Sequence, residues 1–332
     1  MKYIFKPGIN REGTNYSNEG GWYSADKVRF RMGKPERIAG WEKNTLDNFT
    51  GTCRSLYSYR DQGQTDYVGV STHLKYYVLQ GDDFNDITPI RKTSTNSITF
   101  AATDGSSTLV VTDSSHGAVA NDTVTFAEAV SLGGTVIAAV LNQSYTVART
   151  LTVNTYEITA KDTSGDAVVA NSSDTGNGGS AVDGIYEINV GLDVYVKGTG
   201  WGAGAWSSST WGSVSPISSS NQLRLWSQDN FGDDLIACVR GGGIYYWDES
   251  AGATQRAVPF SDLGSASNTP TLSLQIMVSD VDKHIICFGA NAIGESIVNP
   301  LLVRWSDTES ASDWTPTSTN QAGGVQLSQG ST

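Results

Sequence analysis

The side chains that most often carry chemistry are scarce in this sequence and poorly spaced for it. Three histidines, His73, His116 and His284, each stand in or beside a turn or strand start, and none has a neighbour at metal-ligand spacing. Three cysteines, Cys53, Cys238 and Cys287, lie far apart without a CxxC pair. That argues against a zinc site or a disulfide framework and for buried thiols made in a reducing cytoplasm. HExxH, GxSxG, the P-loop and a GxGxxG between strand and helix are absent. Asp162, Asp166 and Asp174 lack the DxDxDG spacing of a calcium loop. The residues therefore predict no catalytic centre, no metal and no cofactor. Carboxylates are plentiful, however, so a glycosidase pair that converges only in space stays open as an alternative.

The other concentration of reactive character is a run of cations. In "GGWYSADKVRFRMGKPERIAGW" (residues 20–41), Lys27, Arg29, Arg31, Lys34 and Arg37 fall within eleven residues of a chain whose formal net charge is -12. The alternation Lys27-Val28-Arg29-Phe30-Arg31 predicts a half-buried strand with Val28 and Phe30 inward and the cations outward. Next-but-one residues on a strand lie roughly 6.7 Å apart, inside a Debye length of about 8 Å, so the cations feel one another. Such a row is tolerable as a solvated strand face but calls for an anionic partner if it is covered.

The whole chain is acidic, which argues against a general nucleic-acid binder, because duplex affinity rests on phosphate neutralisation. Residues 97–200 hold Arg149, Lys161 and Lys197 against eleven acids, a complement to the basic N-terminal region within the same sequence. No run of eighteen apolar residues is present, so no membrane span is expected. Pro7-Gly8 interrupts the N-terminus before an apolar signal core could form, so export is not expected.

Short apolar stretches alternate with Gly, Ser, Asn and Asp turns throughout, the composition of an all-β protein. "DYVGVSTHLKYYVLQGDDFNDITP" (66–89) reads as strand, turn, aromatic strand and an Asp-containing loop. "DDLIACVRGGGIYYWDES" (233–250) and "KHIICFGANAIGESIVNPLLVRWSDTESASDWTP" (283–316) repeat the plan, and Asp313-Trp314-Thr315-Pro316 echoes Asp86-Ile87-Thr88-Pro89. A recurrent antiparallel unit that cannot hide both its faces predicts a β-propeller, with an ordinary sandwich as the other reading. Between the first two copies the text becomes Thr, Val, Ser and Asp rich and loses Trp. That predicts an inserted small β-sandwich or β-barrel, with residues 162–184 as its most mobile loop. The expected organisation is an N-terminal arm with the first blades (1–92), the inserted β domain (93–190) and further blades (191–332). Trp201, Trp206 and Trp211, spaced by five in "GTGWGAGAWSSSTWG", are expected to pack in a core or interface, with a sugar-stacking platform as the alternative.

The phrase "FKPGINREGTNYSNEGGWYSADKVRFRMGKPERIAGW" resembles the opening of tail nozzle proteins of short-tailed bacteriophages. That group includes packaged-DNA stabilisation proteins and, more remotely, tail tubular protein B. The likeness continues through "DITPIR" (86–91), "GWGAGAW" (200–206), "WSQDNFGDDLIACVRGGGIYYWD" (226–248) and "LLVRWSDTESASDWTP" (301–316), and so spans the chain except the insert. The segment "SDTESASDW" (306–314) also resembles the Asp-box of sialidase-type propellers, without the turn glycine that box requires.

The nozzle resemblance implies a structural virion protein of the tail, made in the host cytoplasm. It implies a hexameric self-associated ring below a tail adaptor ring, in contact with a tail fibre or spike. That ring would retain packaged DNA and conduct it, without sequence specificity, during ejection. It implies no catalytic residue. The competing reading is a receptor-binding or glycan-depolymerising tail component. Members of the family run longer, and about four blade-like units are fewer than a closed propeller needs. The propeller is therefore expected to be incomplete here, continued beyond this chain or completed by a neighbour.

Overall fold

Turn residues at short intervals leave no stretch long enough for a stable helix, and antiparallel strands fill nearly all the regular structure. The computed structural model describes residues 6–14, 16–38, 40, 42, 43, 45, 47–190 and 225–328. Met1–Leu46 and Asp47–Thr332 are two compact units.

In the first unit, β1 (Val28–Arg31) pairs antiparallel with β2 (Lys34–Arg37). Met32 and Gly33 join them with φ of 49° and 77°. Two left-handed residues in succession make the tight turn whose twist matches the flanking strands. The expected alternation holds within β1, where Val28 and Phe30 are half-buried and Arg29 and Arg31 exposed. The Trp22 ring lies 6.0 Å from that of Phe30.

The second unit begins with sheet A, a meander of β3 (Cys53–Arg60), β4 (Asp66–Thr72), β5 (Tyr76–Gln80) and β6 (Asp83–Asp86). The chain then builds β7 (Ile90–Ser94), β8 (Thr99–Ala102), β9 (Thr108–Thr112), β10 (Thr123–Ala127), the four-residue helix α1 (Ala138–Leu141), β11 (Ser144–Thr146), β12 (Arg149–Thr152), β13 (Thr155–Thr159), β14 (Asp174–Asn177) and β15 (Asp183–Glu187). These strands form two sheets, ordered β11-β10-β15-β7 and β12-β13-β9-β8-β14, around one core that includes Phe100, Val111, Phe126, Tyr145, Tyr156 and Tyr186. Neither sheet closes, so the insert is a sandwich. Its first and last strands, β7 and β15, are hydrogen-bonded neighbours, and the pairing continues to Ile188 N–H on Pro89 O at 3.1 Å. Sheet B follows, with β16 (Trp226–Phe231), β17 (Asp234–Val239), β18 (Ile244–Trp247) and β19 (Val258–Pro259). Sheet C has β20 (Gln275–Val278), β21 (Ile285–Phe288), β22 (Leu302–Trp305) and β23 (Gly323–Gln326).

Sheet B is the middle layer, and its second strand shows why. "DLIACV" is an unbroken apolar run, the signature of a strand covered on both faces. Leu235, Ala237 and Val239 point to sheet A, joining Tyr59, Tyr67 and Val78. Ile236 and Cys238 point to sheet C, joining Ile276, Ile285, Cys287 and Trp314. Full burial of each Leu, Ile or Val among them contributes about 1.5–3 kcal/mol. Tyr76 stacks on Trp226 at 4.8 Å, and the Trp226 indole N–H donates to Thr72 O at 3.0 Å.

The all-β expectation holds, with corrections. Among the described residues there are three meander sheets where four blade-like units were expected, and no sheet closes on itself. The loop expected over 162–184 contains β14, an edge strand paired with β8 across an irregular register. Its sequence, Asp-Thr-Gly-Asn, has almost no intrinsic strand preference, and Gly176 sits at φ 71°. The open edge of β8 orders it.

Candidate functional site

The feature that organises the three meanders is a polar seam along their first strands. β16 lies against both β3 and β20. The three run in one direction, since Ser227 and Asp229 meet Ile276 and Val278 in order, while Trp226 and Asp229 meet Thr72, the partner of Cys53, and then Tyr57. Where strands from different sheets approach this closely, apolar side chains have little room. Sequence supplies "WSQDNF" instead, and each polar group finds a partner. Ser227 Oγ accepts the Ile276 N–H at 3.1 Å, and Gln228 Oε1 accepts the Tyr76 hydroxyl at 3.0 Å. The Tyr57 hydroxyl donates to Asp229 at 2.8 Å. Burial, reinforced by that carboxylate, pushes the Tyr57 hydroxyl up to about 12. Gly69 of β4 makes room for Gln228. A Cβ there would run into Gln228 Oε1 and come within 3.3 Å of Leu235 Cδ2.

Because the first strands are parallel, their turns gather at one end of the sheets. The β3–β4 and β5–β6 turns bring Asp61, Asp66, Asp82 and Asp83. The β16–β17 turn, the segment after β18 and the β20–β21 turn bring Asp233, Asp234, Asp248, Glu249, Asp280 and Asp282. Against these ten carboxylates stand Arg60, bonded to Asp66 at 2.6 Å, and Lys283. Gln62, Phe231, Asp233, Asp248, Glu249 and Lys283 are among the residues around a concavity of about 300 Å³ there. Its carboxylates are held by local donors. Asp233 accepts Gln62 N–H at 2.7 Å, Asp248 accepts Ser250 N–H at 2.9 Å, Glu249 accepts the Tyr67 hydroxyl at 2.8 Å, and Asp234 accepts the Tyr246 hydroxyl and Glu249 N–H. Burial raises the Asp234 carboxyl above its ordinary value despite those donors.

At the opposite end, where the insert is rooted, a buried charge network joins four segments. Lys75 binds Asp86 at 3.1 Å and also Glu187, while Arg256 binds Asp86 at 2.7 Å and Glu187 at 3.2 Å. Glu187 is 1% exposed, its Oε2 has no hydrogen-bond partner among the described residues, and burial raises its carboxyl above the usual range. This cluster was not legible in the sequence, because its bonded members are up to 170 positions apart.

The cations singled out from sequence are brought together on the β1–β2 hairpin. Arg29 faces Glu36 across the pair and binds it at 3.1 Å, while Arg31 faces Lys34. Arg37 faces Val28, on the other side of the hairpin. Lys27 has φ 54° and stands before the strand, not in its outward row. Trp201, Trp206 and Trp211 lie outside the described residues.

The remaining chemical candidates have local structural partners. His116 is buried, and its Nδ1 accepts Ala118 N–H at 2.9 Å, which leaves Nε2 to donate to Thr152 O at 3.1 Å. His73 accepts Thr52 N–H and His284 donates to Ser306 O. Cys238 and Cys287 are buried, and burial lifts the Cys238 thiol to about 12, whereas Cys53 is exposed. Asp162 caps its own loop by accepting N–H groups of Ser164 and Asp166. Among the described residues no group of three or more His, Cys, Asp or Glu could hold a metal ion. None of the described helices is long and apolar enough to cross a membrane.

No protein-family model matches the sequence, and no curated protein matches it. Among solved structures, the phage phi92 endosialidase matches at 14% identity and a TM-score of 0.23, over 89% of this chain. The chain spans 40% of that structure.

Proposed function

We propose that this chain is a structural virion protein of a short-tailed bacteriophage, the building block of a tail nozzle. In this reading the three meanders are consecutive blades of a β-propeller whose hub is the β3, β16 and β20 seam. The open arc is completed outside the described residues or by a neighbour. Copies associate into a hexameric ring under a tail adaptor, and the ring retains and then conducts DNA.

The observation that supports this best is the seam itself. Three sheets are bolted through parallel first strands by side-chain hydrogen bonds, with polar groups committed to holding the layers together. That is a rigid scaffold suited to bearing load, and its role is structural, not catalytic. A receptor-binding or glycan-cleaving tail component is the competing reading, and its aromatic platform would be Trp201, Trp206 and Trp211.

Averaged images of intact particles carrying a tagged copy of the chain test the proposal. Density for the tag at one vertex, repeated around the axis, is the expected result. Labelling spread over the head, or cleavage of a capsular glycan by the purified chain, would overturn it.

A further inference from the structure

We propose that the β1–β2 hairpin of one copy of this chain docks on the acidic end of the three meander sheets of a second copy. This rests on the reading of the chain as a ring-forming subunit. Charge complementarity is the first support. Residues 1–46 carry nine Lys or Arg against five Asp or Glu, a net +4, which leaves thirteen against twenty-nine, a net -16, on residues 47–332. Ten of those acids are gathered at one end of the sheets, with Asp66, Asp82, Asp83, Asp248, Asp280 and Asp282 exposed there.

The hairpin is built to be covered. None of the described residues of the first unit is buried. Arg31 and Lys34 sit directly opposite each other beside the turn, and like charges at facing positions weaken an isolated strand pair. Met32, at the tip between them, is 93% exposed. An anionic concavity relieves the repulsion and takes up the methionine. A polyanion such as DNA is the weaker match, because the rest of the chain repels it.

The test uses full-length chains in sedimentation velocity at low and moderate salt. One variant carries Arg29→Glu with Arg31→Glu, a second carries Asp248→Lys with Asp282→Lys, and circular dichroism and urea midpoints check that each folds. The expected result is that the wild type associates in a salt-sensitive way, that each variant alone associates at least tenfold more weakly, and that an equimolar mixture of the two recovers association. A single chain with all four reversals should also associate, which keeps the test decisive if one variant folds poorly. Carbodiimide cross-links of Lys34 to Asp248 or Asp282 should join isotopically light to heavy chains in a mixed sample.

Association of the hairpin variant at wild-type strength overturns the docking and leaves the ring reading standing. A wild type that stays monomeric overturns both. Cross-links confined to chains of one isotope assign the hairpin to its own chain and overturn the exchange. Loss of binding to a short DNA duplex in the hairpin variant, with association unchanged, also overturns it.

Discussion

The Tyr57 hydroxyl donates to Asp229 Oδ1 at 2.8 Å, while Asp229 Oδ2 accepts the Val278 N–H at 2.7 Å. One carboxylate on β16 thus ties the first strands of sheets A and C to sheet B. Hydrogen bonds to a charged acceptor contribute about 1.5–3 kcal/mol each when partly shielded from water.

Removing that carboxylate should be costly. Asp229→Ala is expected to destabilise the chain by roughly 3 kcal/mol and Tyr57→Phe by about 1–2 kcal/mol. The double variant should lose less than the sum. Urea unfolding followed by tryptophan fluorescence measures all three, and strict additivity would mean that the two side chains do not work as a unit.

Gly69 is the tightest point of the seam between sheets A and B. Gly69→Val should cost roughly 1–3 kcal/mol through overpacking, because Gln228 is held in place by Tyr76 and cannot swing away freely. The same substitution at Gly81, where a Cβ meets nothing within 4 Å, differs by having a left-handed φ of 62°. Gly69→Ala already introduces the clashing Cβ, so a thermal melt of Gly69→Ala beside the wild type reads the steric cost, and an unchanged melting point would remove the steric account.

The insert root depends on paired burial of charge. Lys75→Met leaves Glu187 short of a cation and should destabilise by about 3–5 kcal/mol, whereas Lys75→Met with Glu187→Gln should recover much of the loss. A buried carboxyl with a raised folded value costs most once pH exceeds that value, and nothing where it is protonated both folded and unfolded. The deficit of Lys75→Met should therefore shrink as pH falls through the carboxylate range. A deficit independent of pH between 4 and about 7 would point to lost packing alone.

Asp313 behaves in the opposite sense. The Thr315 N–H, then Asn320 and Ser267, hold its carboxyl below the ordinary aspartate value. Its stabilisation is present above the unfolded value and is lost as pH falls through the folded one. Asp313→Ala should lower stability by roughly 1 kcal/mol near neutrality and match the wild type in strong acid. Denaturant midpoints across that range check the convergence.

Thiol accessibility gives an independent check on the core between sheets B and C. Cys53 should react with a thiol reagent in the native state, and Cys238 and Cys287 only after denaturation, since both are buried with their thiols pushed up by desolvation. Prompt native reaction of more than one thiol per chain would contradict the packing of β17 against β21.

The fold is unevenly legible along the chain. The recurrent units visible in the sequence, residues 66–89, 233–250 and 283–316, hold the second and third strands of each meander, and the first of them holds the fourth strand β6 as well. There apolar runs such as "DLIACV" record burial on both faces. Asp86 and Asp313, which stand at matching places in the repeated plan, share a local structure, each accepting the N–H two residues on at 2.9 and 3.1 Å. The first strands left no comparable mark. "WSQDNF" reads as a polar loop because its side chains are satisfied by residues of other sheets, which no local pattern encodes. β14 was hidden for a related reason, since a neighbouring edge and not its own composition extends it.

What the sequence determined alone was local and compositional. It determined the all-β class, the alternation that turns Val28 and Phe30 away from Arg29 and Arg31, and the separation of positive from negative charge along the chain. These follow from backbone preference, side-chain period and residue counts, which need no knowledge of distant neighbours. Tertiary structure decided which strands stand first in each sheet, that Asp229 bridges three of them, that Lys75, Asp86, Glu187 and Arg256 meet, and that ten acids share one end. Those outcomes depend on contacts between residues up to 182 positions apart, and such contacts are set by how layers stack and not by any stretch of chain on its own.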